Sequence, residues 1–160
     1  MMKEDISLSG ELDRNLKVHI FPVRVYFEDT DTGGIVYHAN YLKYAERART
    51  EFLRFLGVSH ASVMRNNGVM IAVHSCDIRF LKSAILDDIL SVKTTIARVT
   101  RARLCLTQDI YRDETPLARL HLVLACVKNA GIAVRFPEEF IERLQPFDQS
   151  SEKKEKMNTR

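Results

Sequence analysis

Phe27-Glu28-Asp29-Thr30-Asp31-Thr32-Gly33-Gly34-Ile35-Val36-Tyr37-His38-Ala39-Asn40-Tyr41 sets three acids, two adjacent glycines and a histidine between two stretches of different period. Before it, Phe21, Val23, Val25 and Phe27 alternate with Pro22, Arg24, Tyr26 and Glu28, the period of two of a strand with one buried face. After it, Tyr41, Ala45, Ala48, Phe52 and Phe55 recur every three or four residues, with Lys43, Arg47, Glu51 and Arg54 on the other faces. That pattern predicts an amphipathic helix over 38–56, closed by Gly57 at a left-handed cap. The acid and glycine segment is then a loop that delivers backbone to a helix N-terminus.

Such a loop suits carbonyl chemistry. The first turn of a helix carries N–H groups without intrahelical partners at the positive end of the macrodipole, where an oxyanion is stabilised. Gly33 and Gly34 allow a sharp turn and close approach of another molecule. A carboxylate on the same loop could attack that carbonyl or deprotonate a water beside it. The same letters also spell an ordinary Asx-type turn. Spacing alone leaves the structural loop and the catalytic loop both open.

The remaining chain supplies the frame. Residues 1–17 mix charges with few large apolar groups and read as a loosely held arm with at most a short helical turn. Ser59 to Asn67 reads as a second short helix between an N-cap serine and Gly68. Val69 to Phe80, Ile89 to Val99, Leu104 to Tyr111 and Leu117 to Val127 read as four successive strands of an antiparallel meander. Pro137 opens a last short helix, and residues 146–160 read as a disordered polar tail. One domain over residues 18–145 follows. Its class is α+β, a curved antiparallel sheet with the long helix on its concave face. A single layer of this kind leaves a sheet edge open, so a dimer or higher assembly is expected.

Composition narrows the rest. A chain of 160 residues with 46% hydrophobic content can bury a sizeable core. No apolar run reaches the length of a membrane span and the start lacks a signal-peptide core, which predicts a cytoplasmic protein. Cys76, Cys105 and Cys126 lie in apolar strand runs without C-x-x-C spacing and read as reduced core thiols. No histidine, cysteine and acid pattern has metal-ligand spacing, so no metal is expected. The net charge of +3 leaves room for a local basic patch facing an anion, but no aromatic-rich motif points to nucleic acid.

The run from Tyr26 to Glu46, with its D-T-D-x-G-G-I-V-Y-H-A-N-Y core, resembles the signature of hotdog-fold acyl-CoA thioesterases of the 4-hydroxybenzoyl-CoA thioesterase type, closest to the Tol-Pal-associated branch. The resemblance extends more loosely to about Leu144 and leaves out both termini. It implies hydrolysis of an acyl-CoA, or of an acyl carrier protein thioester, without a cofactor, in a homodimer or homotetramer whose sites lie between subunits. It implies Asp31 as nucleophile or general base, Asp29 as organiser of the loop, and the His38 amide as oxyanion donor with its imidazole beside the leaving thiolate. Gly34 and Tyr37 fall among the substrate-contacting positions of the motif. For the phosphates of a CoA ligand, Arg101, Arg103, Lys128 and Arg135 are the basic residues on turns and strand ends. Phe27 departs from relatives that carry a tyrosine there, so no tyrosine role passes to it. Glu46, two turns into the helix, is expected in a buried or interface ion pair. The competing class is a non-catalytic acyl-CoA sensor, against which counts an N-terminal segment too short for a helix-turn-helix domain.

Overall fold

The computed structural model describes residues 8–129 and 131–150. Its elements are β1 (Glu11–Asp13), β2 (Val18–Arg24), α1 (Asn40–Phe55), α2 (His60–Asn67), β3 (Met70–Phe80), β4 (Ile89–Val99), β5 (Leu104–Arg112), β6 (Thr115–Lys128), β7 (Ile132–Val134) and α3 (Glu138–Leu144). The strands form one antiparallel sheet in the order β1-β2-β4-β5-β6-β3, with β7 added beside β6. This is the hotdog arrangement, in which the sheet curls around α1.

The inner face of the sheet follows the period of two. Leu90, Val92, Thr94 and Ile96 of β4 point inward, as do Leu104, Leu106, Gln108 and Ile110 of β5 and Leu120, Leu122, Leu124 and Cys126 of β6. Against them α1 sets Tyr41, Tyr44, Ala45, Ala48 and Phe52. The small Ala45 and Ala48 let the helix lie close over β2 and β4. Its end is a Schellman motif: Val58 N–H donates to Leu53 O and Gly57 N–H to Arg54 O, each at 2.9 Å, with Gly57 at φ +77°. The predicted cap of α2 is also present, since Ser59 and Ser62 each accept the other's backbone N–H.

Several expectations change. The four later strands are not a simple meander: only β4, β5 and β6 are consecutive neighbours, while β3 crosses to the far edge beside β6 because β2 takes the place next to β4. β2 stops at Arg24, and a 3-10 turn over Phe27–Asp29 swings Phe27 outward to 81% exposure, although period two placed it in the core. Phe55 is likewise exposed at the helix end. Of the cysteines only Cys126 is buried, and Cys76 lies exposed on β3.

Both termini are better held than expected. Residues 11–13 form a hairpin with β2, and residues 1–7 lie outside the described ones. The first residues of the expected tail, 146–150, are ordered. Phe147 packs into the core against Phe52, and the buried Asp148 carboxylate accepts the Val99 N–H at 3.0 Å. Hydrogen bonds from Ser150 and from that backbone N–H hold the carboxyl of Asp148 below its ordinary range, against the opposing effect of burial. Residues 151–160 lie outside the described part.

Candidate active site

The quoted loop is fixed at both ends by its own polar groups. Asp29 is buried: its carboxylate accepts the Tyr26 N–H at 2.8 Å, and its carbonyl accepts from Tyr37 N–H and from the Asn40 side chain. Asn40 thus reaches back to the loop from the start of α1, while Ala39 at the cap position makes no side-chain cap. Tyr44 of α1 places its hydroxyl near the Asp29 carboxylate but outside hydrogen-bonding geometry. Burial first, then that negative charge, push the phenol far above its ordinary range. Asp29 is therefore the organiser of the loop.

Between Thr30 and Val36, which pair as an isolated bridge, the chain turns tightly. Asp31 N–H donates to Ile35 O and Gly34 N–H to Asp31 O, both at 3.0 Å, and Gly34 takes φ +76° with open space around it. One oxygen of the exposed Asp31 carboxylate accepts Gly33 N–H at 2.8 Å. The Asx turn and an accessible carboxylate thus coexist, since a single bond to Oδ1 orients the group while leaving it at the surface.

His38 follows two residues before α1. Tyr37 N–H is spent on Asp29 O and Asn40 N–H on Tyr37 O, whereas His38 and Ala39 N–H, between them, make no hydrogen bond among the described residues. Its imidazole stands against Tyr37 (ring centroids 4.5 Å apart) and Phe80 (6.1 Å), and Phe80 also meets Tyr41. The ring lines a cleft of about 200 Å³ with Ile35, Val36, Tyr41, Phe80, Leu81, Lys82 and Ser83.

The far wall of that cleft is braced. Val36 N–H donates to Ala84 O, Ala84 N–H donates to the Tyr41 hydroxyl, and Leu81 and Lys82 N–H both donate to Leu117 O. Behind it the Asp88 carboxylate accepts Arg112 at 2.7 Å and Ile85 N–H. Phe80 and Lys82 escaped the sequence reading because nothing local shows that the end of β3 returns to the start of α1. The one available signal was the apolar-polar step Phe80-Leu81-Lys82 just before the Leu86-Asp87-Asp88 turn.

The structure thus brings Asp31, Gly34, Tyr37 and His38 together on one loop. It does not bring the four basic residues to them within one chain. Arg101 and Arg103 sit on the β4–β5 turn, Lys128 ends β6, and Arg135 follows β7, whereas the loop and His38 stand at the other end of the sheet, by Arg24, Ile89 and Phe80. An eleven-residue strand such as β4 separates the two ends by roughly 35 Å. Arg101 and Arg135 do share a cleft of their own, with Phe136, Glu138 and Ile141. Among the described residues no group of histidines, cysteines and acids is arranged to hold a metal.

Residues 25–144 match the Thioesterase-like superfamily. The acyl-CoA thioesterase YbgC of Haemophilus influenzae is 40% identical over 120 residues, covering 74% of this chain and 88% of that protein. The crystal structure of a probable thioesterase from Bartonella henselae superposes with a TM-score of 0.72 at 35% identity, over 75% of this chain and 99% of that one. A 4-hydroxybenzoyl CoA thioesterase solved with 4-hydroxybenzoyl CoA shares the fold, with a TM-score of 0.74 over 79% of this chain and 98% of that one, at 21% identity. With the family matched over residues 25–144 and a relative 40% identical over most of both lengths, the chain belongs to the thioesterase-like superfamily of hotdog proteins.

Proposed function

We propose that the protein hydrolyses acyl-CoA thioesters at the His38 cleft, with Asp31 as the reacting carboxylate. The observation that carries this reading is the His38 N–H, left with that of Ala39 without a partner among the described residues at the entry of α1, beside the accessible Asp31 carboxylate on the same loop. A thioester carbonyl placed there receives a hydrogen bond and the field of the helix N-terminus, both stronger as its oxygen gains charge in the tetrahedral state. Asp31 then either removes a proton from an attacking water or attacks the carbonyl itself, giving an anhydride that water opens. In both routes the C–S bond breaks and the thiol leaves with a proton, and the acid is released. His38, Tyr37 and Phe80 offer the acyl group an aromatic wall.

The working unit in this reading is a dimer. β3 pairs only with β6, so its other edge is open among the described residues. Its inward-facing residues include Val73, Cys76 and Phe80, all exposed because α1 covers β2 and β4 instead. An open edge with a bare apolar face is a surface that proteins cover. Antiparallel pairing of two β3 strands would set Phe80 of one copy beside Met70 of the other. The second copy's Lys128 would then lie about two strand spacings, near 10 Å, from the first copy's cleft. Arg101, Arg103 and Arg135 stand at that same end, so the CoA phosphates meet basic residues of the opposite subunit. The free thiols suit a reducing cytoplasm, and no helix among the described residues is long and apolar enough to cross a membrane.

The test is an acyl-CoA panel of graded length, with an acyl carrier protein thioester included, run on wild type and Asp31→Asn. Wild type is expected to hydrolyse at least one member, and Asp31→Asn to lose roughly 100-fold or more in kcat while still binding a non-hydrolysed analogue. Near-normal turnover by folded Asp31→Asn would exclude Asp31. Tight binding without hydrolysis by wild type across the panel would make the protein a sensor.

A further inference from the structure

Arg49 on α1 is buried, with a relative exposure of 8%, yet its guanidinium has no carboxylate within ion-pair distance among the described residues. Its one hydrogen bond runs from Nη1 to the Gln108 side-chain oxygen at 3.1 Å. Gln108 in turn donates to Ala45 O and to Thr94 Oγ1, so a neutral polar row on the inner face holds one end of the cation. The remaining N–H groups are not sealed inside, and the guanidinium faces the Cys76 thiol on β3. The carboxylate of Glu46 on its own helix acts on the guanidinium through space without reaching ion-pair distance, and a buried cation compensated only from that range and by neutral groups invites a second carboxylate from outside.

One turn earlier on the same helix, Glu46 is exposed, and its only hydrogen bond among the described residues is accepted from the Thr50 hydroxyl at 2.8 Å. Arg49 stands near the middle of β3, because Cys76 is next to the central residue Ser75 of the strand, and Glu46 lies one turn of α1 away. In an antiparallel β3–β3 dimer the two-fold axis passes close to that middle, and the two α1 helices run antiparallel beneath it. Groups near a two-fold axis meet the same groups of the other copy. Arg49 against Arg49 would repel; a stagger of one turn puts Glu46 against Arg49 twice.

We infer that Glu46 and Arg49 of one subunit form reciprocal ion pairs with Arg49 and Glu46 of the partner subunit across the open β3 edge. The inference rests on the dimer reading above. It assigns the charged pair that selects a second copy of this chain as the occupant of that edge, since the wrong register or partner leaves Arg49 uncompensated.

The test uses two full-length variants with different tags, Glu46→Lys and Arg49→Glu, checked for folding by circular dichroism and then sized by sedimentation velocity. Each alone sets like charges together twice, and the dimer dissociation constant is expected to rise by roughly 100-fold or more. Mixing restores opposite charges at both contacts, the introduced lysine facing the introduced glutamate and the native Arg49 facing the native Glu46. A heterodimer is therefore expected to form at wild-type concentrations. If Arg49→Glu does not fold, Arg49→Gln takes its place, and the mixture should still favour heterodimer over the Glu46→Lys homodimer. Variants that stay dimeric alone, or that stay monomeric when mixed, would overturn the ion pair without touching the dimer. A monomeric, fully active wild type would remove the dimer reading and this inference with it.

Discussion

Asp29 and Asp31 stand two residues apart and do different work, and the difference is burial. Asp31 keeps its carboxylate at the surface on a single turn bond, whereas Asp29 is enclosed and ties Tyr26, Tyr37 and Asn40 together through its side chain and carbonyl. Asp29→Asn is expected to weaken the charge-assisted bond to Tyr26 N–H, costing about 1–3 kcal/mol of stability. Thermal melts should fall accordingly while turnover per folded molecule stays within a few-fold of wild type. A large drop in kcat without loss of stability would instead place Asp29 in the chemistry. The sequence offered two acids, and the resemblance implied Asp31 as the reacting one and Asp29 as the organiser of the loop. It did not disclose that Arg49 is buried, since helical periodicity assigned the polar faces of α1 to solvent and the cause of its burial, the Gln108 and Thr94 row, comes from distant strands.

Among the elements, the ones legible beforehand were those with local signatures: the switch from period two to period 3.6, the glycine at the end of α1, and the serine cap of α2. The position of β3 at the sheet edge was not, because strand order depends on non-local pairing that no window of sequence contains. The β1–β2 hairpin was missed for a similar reason, its anchor being the buried His19. That ring stacks on Phe52 and approaches Phe55, and its Nε2 hydrogen-bonds the Ser9 carbonyl at 2.8 Å, leaving Nδ1 without a partner. Burial lowers the pKa of His19 below the ordinary 6.5, outweighing the opposite pulls of the Ser9 carbonyl and Glu51. The folded ring stays neutral while the unfolded one takes a proton, so its contribution is intact above 6.5 and is lost as pH falls from there through the folded value. Denaturant midpoints measured from about pH 7 down to 5 should drop more steeply for wild type than for His19→Phe. Parallel curves would show that His19 carries no part of the acid sensitivity.

At the scale of the whole molecule, the separation of the loop from Arg101, Arg103, Lys128 and Arg135 is either a reason to discard the basic residues or a sign that each site draws on two chains. Mixing separates the two. One variant carries Asp31→Asn with its basic residues intact; the other carries all four basic residues as alanine with Asp31 intact. The first should bind without turning over, and the second should show a raised KM with kcat largely retained at saturation, the signature of lost ground-state binding. In a heterodimer, the Asp31 of the second chain faces the basic residues of the first, so one of the two sites regains every part. Activity at low substrate should therefore rise on mixing above the sum of the separate proteins, and it should fall with added salt because phosphate pairs are screened over about 8–10 Å. If the basic residues act within their own chain, both sites of the heterodimer lack something and mixing gains nothing. If they do not contact the substrate at all, the alanine variant alone keeps its KM, and the cleft shared by Arg101 and Arg135 belongs to the surface of the fold and not to the site.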